Sequence, residues 1–115
     1  MALYSWEDVK KEVLNDKLSR KVITGEKMTL AQIFIGKGGV VPLHQHEHEQ
    51  FSSVLAGALR FELEGKETVV RPGEVLHIPA NVPHRVVALE DSVALDAFSP
   101  VRSDWLTGKD DYLRR

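Results

Sequence analysis

Short segments with a two-residue hydrophobic period run through most of the chain, and they limit it to an all-β fold. The connections between them are brief and rich in turn residues, such as Gly65-Lys66, Pro72-Gly73 and Glu90-Asp91. Many short strands with turns at regular spacing predict an antiparallel barrel or a double-sheet jelly roll. The predicted strands are Lys21–Thr24, Lys27–Ile35, Phe51–Ala56, Ala58–Glu64, Glu67–Arg71, Val75–Pro79, His84–Leu89 and Ser92–Phe98.

The two ends of the chain differ from this pattern. Residues 5–19 predict a short helix, with Ser5 as the N-cap in an S-x-x-D pattern that ends at Asp8. After Ser99-Pro100 the chain becomes polar and contains one large apolar residue suited to anchor it, Trp105. We therefore divide the chain into an N-terminal arm (1–19), a β-barrel (20–99) and a C-terminal extension (100–115).

Composition narrows the classes of function. A length of 115 residues suits one domain with one core. The net charge of −2 gives no electrostatic basis for nucleic acid binding, and no apolar run approaches the length of a membrane span. There is no cysteine, which excludes disulfides and thiolate chemistry. The first residues lack the apolar stretch of a signal peptide, so a cytoplasmic protein is expected.

The sequence HQHEHEQ, from His44 to Gln50, is the main candidate for a functional site. Side chains two residues apart point the same way in an extended strand, so His44, His46, His48 and Gln50 share a nominal face. Neighbouring imidazoles supply metal donors with little rearrangement. A hydrophilic loop or an expression tag is the alternative. The flanking strand-like sequence and the internal position favour a metal site.

Two spaced motifs resemble those of the cupin superfamily. The first consists of Gly38, His44-x-His46, Gln50 and Gly57, and the second of Gly73, Pro79-x-Asn81 and His84. The resemblance covers roughly residues 20 to 99 and implies a cupin barrel, the jelly roll also called a double-stranded β-helix. Departures occur at Gln50, where many cupins have glutamate, at Asn81, which replaces a glycine, and at Ala88, which replaces an asparagine.

The resemblance also implies a metal site. Its ligands would be His44, His46, Gln50 and His84, holding one divalent ion, with nickel, manganese, iron and zinc all compatible. His48 is not a ligand in the family pattern, Glu49 is a rival to Gln50, and His77 suits a surface or subunit contact. Neutral ligands leave the ion its full charge, which favours Lewis-acid chemistry on an anionic oxygen over redox cycling.

A second group of residues follows in the last predicted strand. Asp96 and Phe98 share one face, and Arg102 lies just beyond Ser99-Pro100. An Asp96–Arg102 ion pair that pins the tail is one interpretation, because a lone buried carboxylate is costly. Together with HQHEHEQ and IPANVPH, the sequence DAFSPVR is similar to the KdgF-type family of small cupins in uronate catabolism. That similarity implies catalytic roles for Asp96, Phe98 and Arg102.

The predicted function is ring opening and ketonisation of a 4,5-unsaturated monouronate, or of a related sugar acid, as in pectin degradation. Arg102 would bind the carboxylate, Phe98 would pack on the sugar ring and Asp96 would move the proton. Alternatives are another metal-dependent cupin enzyme (a dioxygenase, an isomerase or a lyase) and a non-catalytic cupin that binds a small molecule. The amphipathic arm fits a homodimer with exchanged N-terminal strands, although an arm folded back on its own barrel also fits.

Overall fold

The chain folds into ten β-strands with only single turns of helix. The computed structural model describes residues 1–115. The strands are β1 (Glu12–Val13), β2 (Leu18–Thr24), β3 (Thr29–Ile35), β4 (Val40–His44), β5 (Glu49–Ala56), β6 (Leu59–Leu63), β7 (Lys66–Val70), β8 (Val75–Ile78), β9 (His84–Ala88) and β10 (Ser92–Ser99). A helix long and apolar enough to cross a membrane is absent.

Two antiparallel sheets enclose the core. The six-stranded sheet has the order β1-β2-β3-β10-β5-β8, and the four-stranded sheet has the order β4-β9-β6-β7. The alternation predicted from the sequence is seen in β10, where Ser92, Ala94, Asp96 and Phe98 face inward and are buried. Leu59 and Phe61 of β6 face them from the other sheet. The predicted all-β jelly-roll barrel is confirmed.

The N-terminal arm contains much less helix than predicted. A single 3-10 turn, Trp6–Asp8, forms, and the Ser5 side chain makes no capping hydrogen bond. The backbone is already extended at Val9, and Val13 pairs with Ser19 in the β1–β2 hairpin. The helical prediction beyond the first turn is therefore wrong. Tertiary context overrode a weak local pattern, because β-bridging to β2 satisfies the backbone of this segment.

The C-terminal extension folds back onto the barrel. It contains α1 (Ser103–Leu106) and a 3-10 turn (Asp111–Leu113). Leu113 joins the hydrophobic core, and Asp110, fully buried, accepts a 2.6 Å ionic hydrogen bond from Nη2 of Arg20 in β2. Trp105 packs against the core, where the sequence had predicted an anchor. The extension thereby closes one end of the barrel.

We expect Gly57→Ala to lower the free energy of unfolding by about 2–4 kcal/mol. Gly57 joins β5 to β6 with φ +83°, and a Cβ there would lie 2.3 Å from Ser92 Oγ and 2.4 Å from the Asp91 carbonyl oxygen. Gly65 is a matched control, since its φ is +77° but a Cβ would meet nothing within 4 Å. Gly65→Ala should cost only about 1 kcal/mol in urea unfolding. Equal losses in the two variants would contradict the steric argument.

Candidate metal centre and adjoining cavity

Three histidines converge at one end of the barrel. His44 ends β4 and pairs directly with His84, the first residue of β9, while His46 lies in the loop that leads to β5. One ligand nitrogen from each lies within 4.8 Å of the others. Asn81 supports this arrangement with φ +64° and an N–H that donates to the His46 carbonyl at 2.8 Å. Asparagine tolerates the left-handed backbone that the family's glycine would provide.

Backbone carbonyls orient two of the imidazoles. Nδ1 of His44 lies 2.8 Å from the Pro42 carbonyl oxygen, and Nδ1 of His84 lies 2.8 Å from the Val82 carbonyl oxygen. A carbonyl oxygen only accepts, so in each neutral ring Nδ1 carries the proton and donates it. The Nε2 atoms keep their lone pairs, as metal ligation requires.

Gln50 and His46 bring two further lone pairs together. The Gln50 amide nitrogen donates to Ser52 Oγ at 2.8 Å, which leaves Oε1 facing His46 Nε2 at 3.2 Å. His46 Nδ1 lies 3.1 Å from the His48 carbonyl oxygen. Both ring nitrogens of His46 thus face a carbonyl oxygen, but a neutral imidazole has only one N–H. One of the two contacts therefore joins two acceptors with no hydrogen between them. A cation bound by Nε2 and Oε1 removes this conflict, so these residues fit a metal ion.

The imidazoles are neutral donors. Burial lowers the pKa of His44 to about 4 and that of His46 to about 3, and neighbouring positive charges act in the same direction. Burial also lowers the pKa of His84. With the Gln50 amide, the donor set carries no charge to offset that of a divalent ion.

Asp96 lies beside this cluster in the interior. It is opposite Ser52 in the β10–β5 pairing, and its Oδ2 accepts a long hydrogen bond, 3.4 Å, from the Gln50 amide nitrogen. Its Oδ1 is buried and has no partner in the protein. Burial raises the pKa of Asp96 to about 7, against the opposing effects of the Ser52 hydroxyl and the Arg102 charge. A carboxyl group of this kind can both accept and release a proton near neutral pH.

Phe98 and Arg102 complete the inner wall. The Phe98 ring meets His46 edge-on, with centroids 5.8 Å apart, and the Arg102 guanidinium carbon lies 4.7 Å from the Phe98 centroid. The proposed Asp96–Arg102 ion pair does not form. Asp104 instead accepts from Arg102 Nε at 3.0 Å and from Nη2 at 2.7 Å. A carboxylate two residues away in sequence captures the guanidinium as the chain enters α1.

The remaining candidates do not join the three-histidine cluster, although the His48 ring lies 5.2 Å from that of His46. His48 is buried, but its Nε2 faces the Val101 carbonyl oxygen at 3.1 Å and it is not part of the cluster. Glu49 is on the outer face of β5, where its carboxylate pairs with His77 at 2.7 Å. The strand alternation thus turns Gln50 inward and Glu49 outward. His77 is exposed, as its isolated position in the sequence predicted.

Sequence reasoning missed several cavity residues from outside the barrel motifs. Tyr112 stacks on His44 with centroids 4.6 Å apart, and its hydroxyl accepts a 2.9 Å hydrogen bond from Arg102 Nη2. Asp104 accepts a hydrogen bond from Arg102, and the guanidinium groups of Arg20 and Arg102 both lie over the Trp105 ring. The two cupin motifs lie within the barrel, so they predict nothing about contacts made by the C-terminal extension. Its polar composition gave no signal beyond Trp105.

A two-sheet jelly roll with imidazoles from two paired strands at its mouth defines a cupin. The family model described as a cupin domain matches residues 32–98, and the chain belongs to this family. It is also 35% identical over 98 residues to the pectin degradation protein KdgF of Dickeya dadantii (strain 3937), a match that spans 83% of this chain and 89% of that protein.

Solved structures agree with this assignment. KdgF from a Halomonas species superposes with a TM-score of 0.85 and 31% identity, over 90% of this chain and 99% of that one. An RmlC-like cupin from Shewanella frigidimarina NCIMB 400 also gives a TM-score of 0.85, with 25% identity over 91% of this chain and 96% of its own. The resemblance to KdgF thus holds in sequence and in backbone.

Proposed function

We propose that this protein is a metal-dependent enzyme that opens the ring of a 4,5-unsaturated monouronate and yields its linear keto form. The observation that carries the proposal is the unpartnered, buried Oδ1 of Asp96 in the cavity that also contains His44, His84 and Arg102. The similarity to KdgF, named for pectin degradation, supports a sugar-acid substrate. The similarity of the sequence DAFSPVR to KdgF-type proteins supports roles for Asp96, Phe98 and Arg102.

The ligands we propose are His44, His46, Gln50 and His84. A divalent ion held there (nickel, manganese, iron or zinc) supplies Lewis-acid stabilisation of negative charge on a substrate oxygen. The neutral donor set suits this role, because none of the ion's charge is cancelled by a carboxylate ligand. The Nδ1 hydrogen bonds of His44 and His84 keep their donor atoms directed into the site.

The other three side chains act on the substrate. In the reaction, the bond between C1 and the ring oxygen breaks as the anomeric hydroxyl loses its proton, and the resulting enolate becomes a ketone when C4 gains one. Asp96 accepts the first proton and returns one to carbon, so no atoms are gained or lost overall. Arg102 binds the substrate carboxylate, and Phe98 packs on the ring and excludes water.

The direct test is the absorbance of the unsaturated uronate, which disappears as the double bond is lost. Protein loaded separately with each of the four ions is compared with chelator-treated protein and with the spontaneous reaction. We expect at least one metal-loaded form to accelerate the loss. No acceleration with any ion would remove the proposal, and oxygen consumption on the same substrate would indicate a dioxygenase instead.

We also propose a homodimer in which a second chain covers the N-terminal arm. Leu3 and Tyr4 are exposed, and β1 is an edge strand whose Val13 is 70% exposed. Light scattering should give twice the chain mass of 12.9 kDa. Val13→Lys should shift the protein to monomer. Leu106→Lys, at an exposed apolar site in α1, should leave the mass unchanged; a wild-type monomer would exclude the dimer.

A further inference from the structure

The guanidinium of Arg102 is already occupied by a carboxylate from its own chain. Asp104 bonds Nε and Nη2 through its two oxygens, at 3.0 and 2.7 Å. This two-pronged geometry is the one in which arginine binds any carboxylate. The side chain of Arg102 is only 2% exposed, whereas that of Asp104 is 26% exposed. The aspartate therefore has contact with solvent, and the arginine does not.

The segment that carries Asp104 also closes the cavity. Trp105 in α1 lies 4.3 Å from the Arg102 guanidinium carbon and meets the Phe98 ring edge-on, with centroids 5.1 Å apart. The cavity behind this segment has a volume of about 60 Å³. Sites for small molecules typically have roughly 300–1,000 Å³. His44 and His46 are partly exposed, but Asp96 and Arg102 are buried. A six-carbon sugar acid thus requires α1 to move outward before its carboxylate can reach the Arg102 guanidinium.

We propose that Asp104 is a specificity-determining residue that occupies the carboxylate subsite of Arg102 until an acidic ligand replaces it. This inference rests on the proposed function and concerns the same site. When a ligand carboxylate binds the Arg102 guanidinium instead, Asp104 moves into solvent and α1 is released from the barrel. The exchange keeps a negative charge beside the buried guanidinium, which would be strongly destabilised if left unpaired.

The consequence is selection for acids over neutral sugars. A neutral sugar of the same size cannot supply the charge that Asp104 gives up, so it cannot open the cavity at low cost. The far end of the segment stays fixed, because Asp110 is held by Arg20 at 2.6 Å and Leu113 is in the core. Gly108 lies between the two parts with φ +73° and nothing within 4 Å of a Cβ position, so the chain is loosely packed at the junction between them.

The experiment measures binding without turnover. The chain has two tryptophans, so in a Trp6→Phe background the fluorescence reports on Trp105 alone. Metal-loaded protein is titrated with D-galacturonate, which lacks the double bond, and with D-galactose as its neutral counterpart. Removing the internal competitor in Asp104→Asn should tighten galacturonate binding by roughly tenfold, because a larger fraction of molecules is open. Galactose binding should stay weak in both proteins.

The control is Asp111→Asn, which removes a charge from an exposed position of the same segment. It should leave galacturonate binding unchanged, which separates competition at Arg102 from a general change in net charge. Weaker or unaltered galacturonate binding in Asp104→Asn overturns the proposal, as does the absence of binding in both proteins. Because galacturonate is not converted, a failure of the ketonisation assay would leave this result standing.

A second measurement avoids the variant altogether, in case Asp104→Asn does not fold. The amides of Trp105 and Leu106 donate to the Arg102 carbonyl oxygen at 3.0 and 3.4 Å, and that of Thr107 donates to Ser103 at 3.0 Å. In wild-type protein, galacturonate should speed hydrogen exchange at these amides, whereas galactose should not. Unchanged or slower exchange with galacturonate means that α1 is not released and overturns the proposal.

Discussion

Asp96→Asn is expected to lower kcat/KM for the unsaturated uronate by about 10²–10⁴-fold, the range that a positioned proton-transfer group contributes. The amide has the same shape and can still accept from the Gln50 side chain through its oxygen, so the fold and the metal ligands should be preserved. It cannot accept and return a proton. The loss should therefore occur mainly in kcat, measured by the decay of substrate absorbance with protein of verified metal content.

The control for this variant is Glu49→Gln. Glu49 is also an acidic residue near Gln50 in sequence, but its side chain lies on the outer face and pairs with His77. It should retain the activity of the wild-type protein. Activity of Asp96→Asn within about threefold of wild type, with full metal loading, would rule out proton transfer by Asp96 and favour a binding protein or another reaction.

His84→Ala should abolish stoichiometric metal binding. The His84 side chain is almost fully buried, and its ring lies 4.2 Å from that of His44, so its truncation removes one of the three clustered imidazole donors. Loss of an outer-shell partner typically costs 10–100-fold in metal affinity, and loss of a ligand should cost more than about 100-fold. Elemental analysis should fall from one ion per chain towards none, and uronate conversion should fall with it.

His77→Ala is the matched control, because His77 is exposed and its ring contacts Glu49 and Phe51 and no member of the three-histidine cluster. It should keep full metal content. His48→Ala should do the same, since the Nε2 atom of His48 faces the Val101 carbonyl oxygen and the residue is not one of the three clustered histidines. Normal metal binding by His84→Ala, or its loss in His77→Ala, would show that the ion is bound elsewhere.

The barrel was predictable because its information is local. Strands with one buried face have a two-residue period, and β10 shows it without interruption from Ser92 to Phe98. The same alternation correctly separated Gln50 from Glu49. The structure of the N-terminal arm was not predictable in this way, because residues 5–19 have only a weak helical pattern. The pairing of Val13 with Ser19 depends on a hairpin that this pattern does not show.

The cupin barrel and its histidines could be predicted from the sequence, because strand period and motif spacing depend on near neighbours. The partner of Arg102 and the closure of the cavity became known from the folded chain alone. Asp96 and Asp104 were both within reach of that guanidinium along the chain, and the turn into α1 selected Asp104. Contacts such as Arg20 with Asp110 join residues 90 positions apart, and no local pattern encodes them.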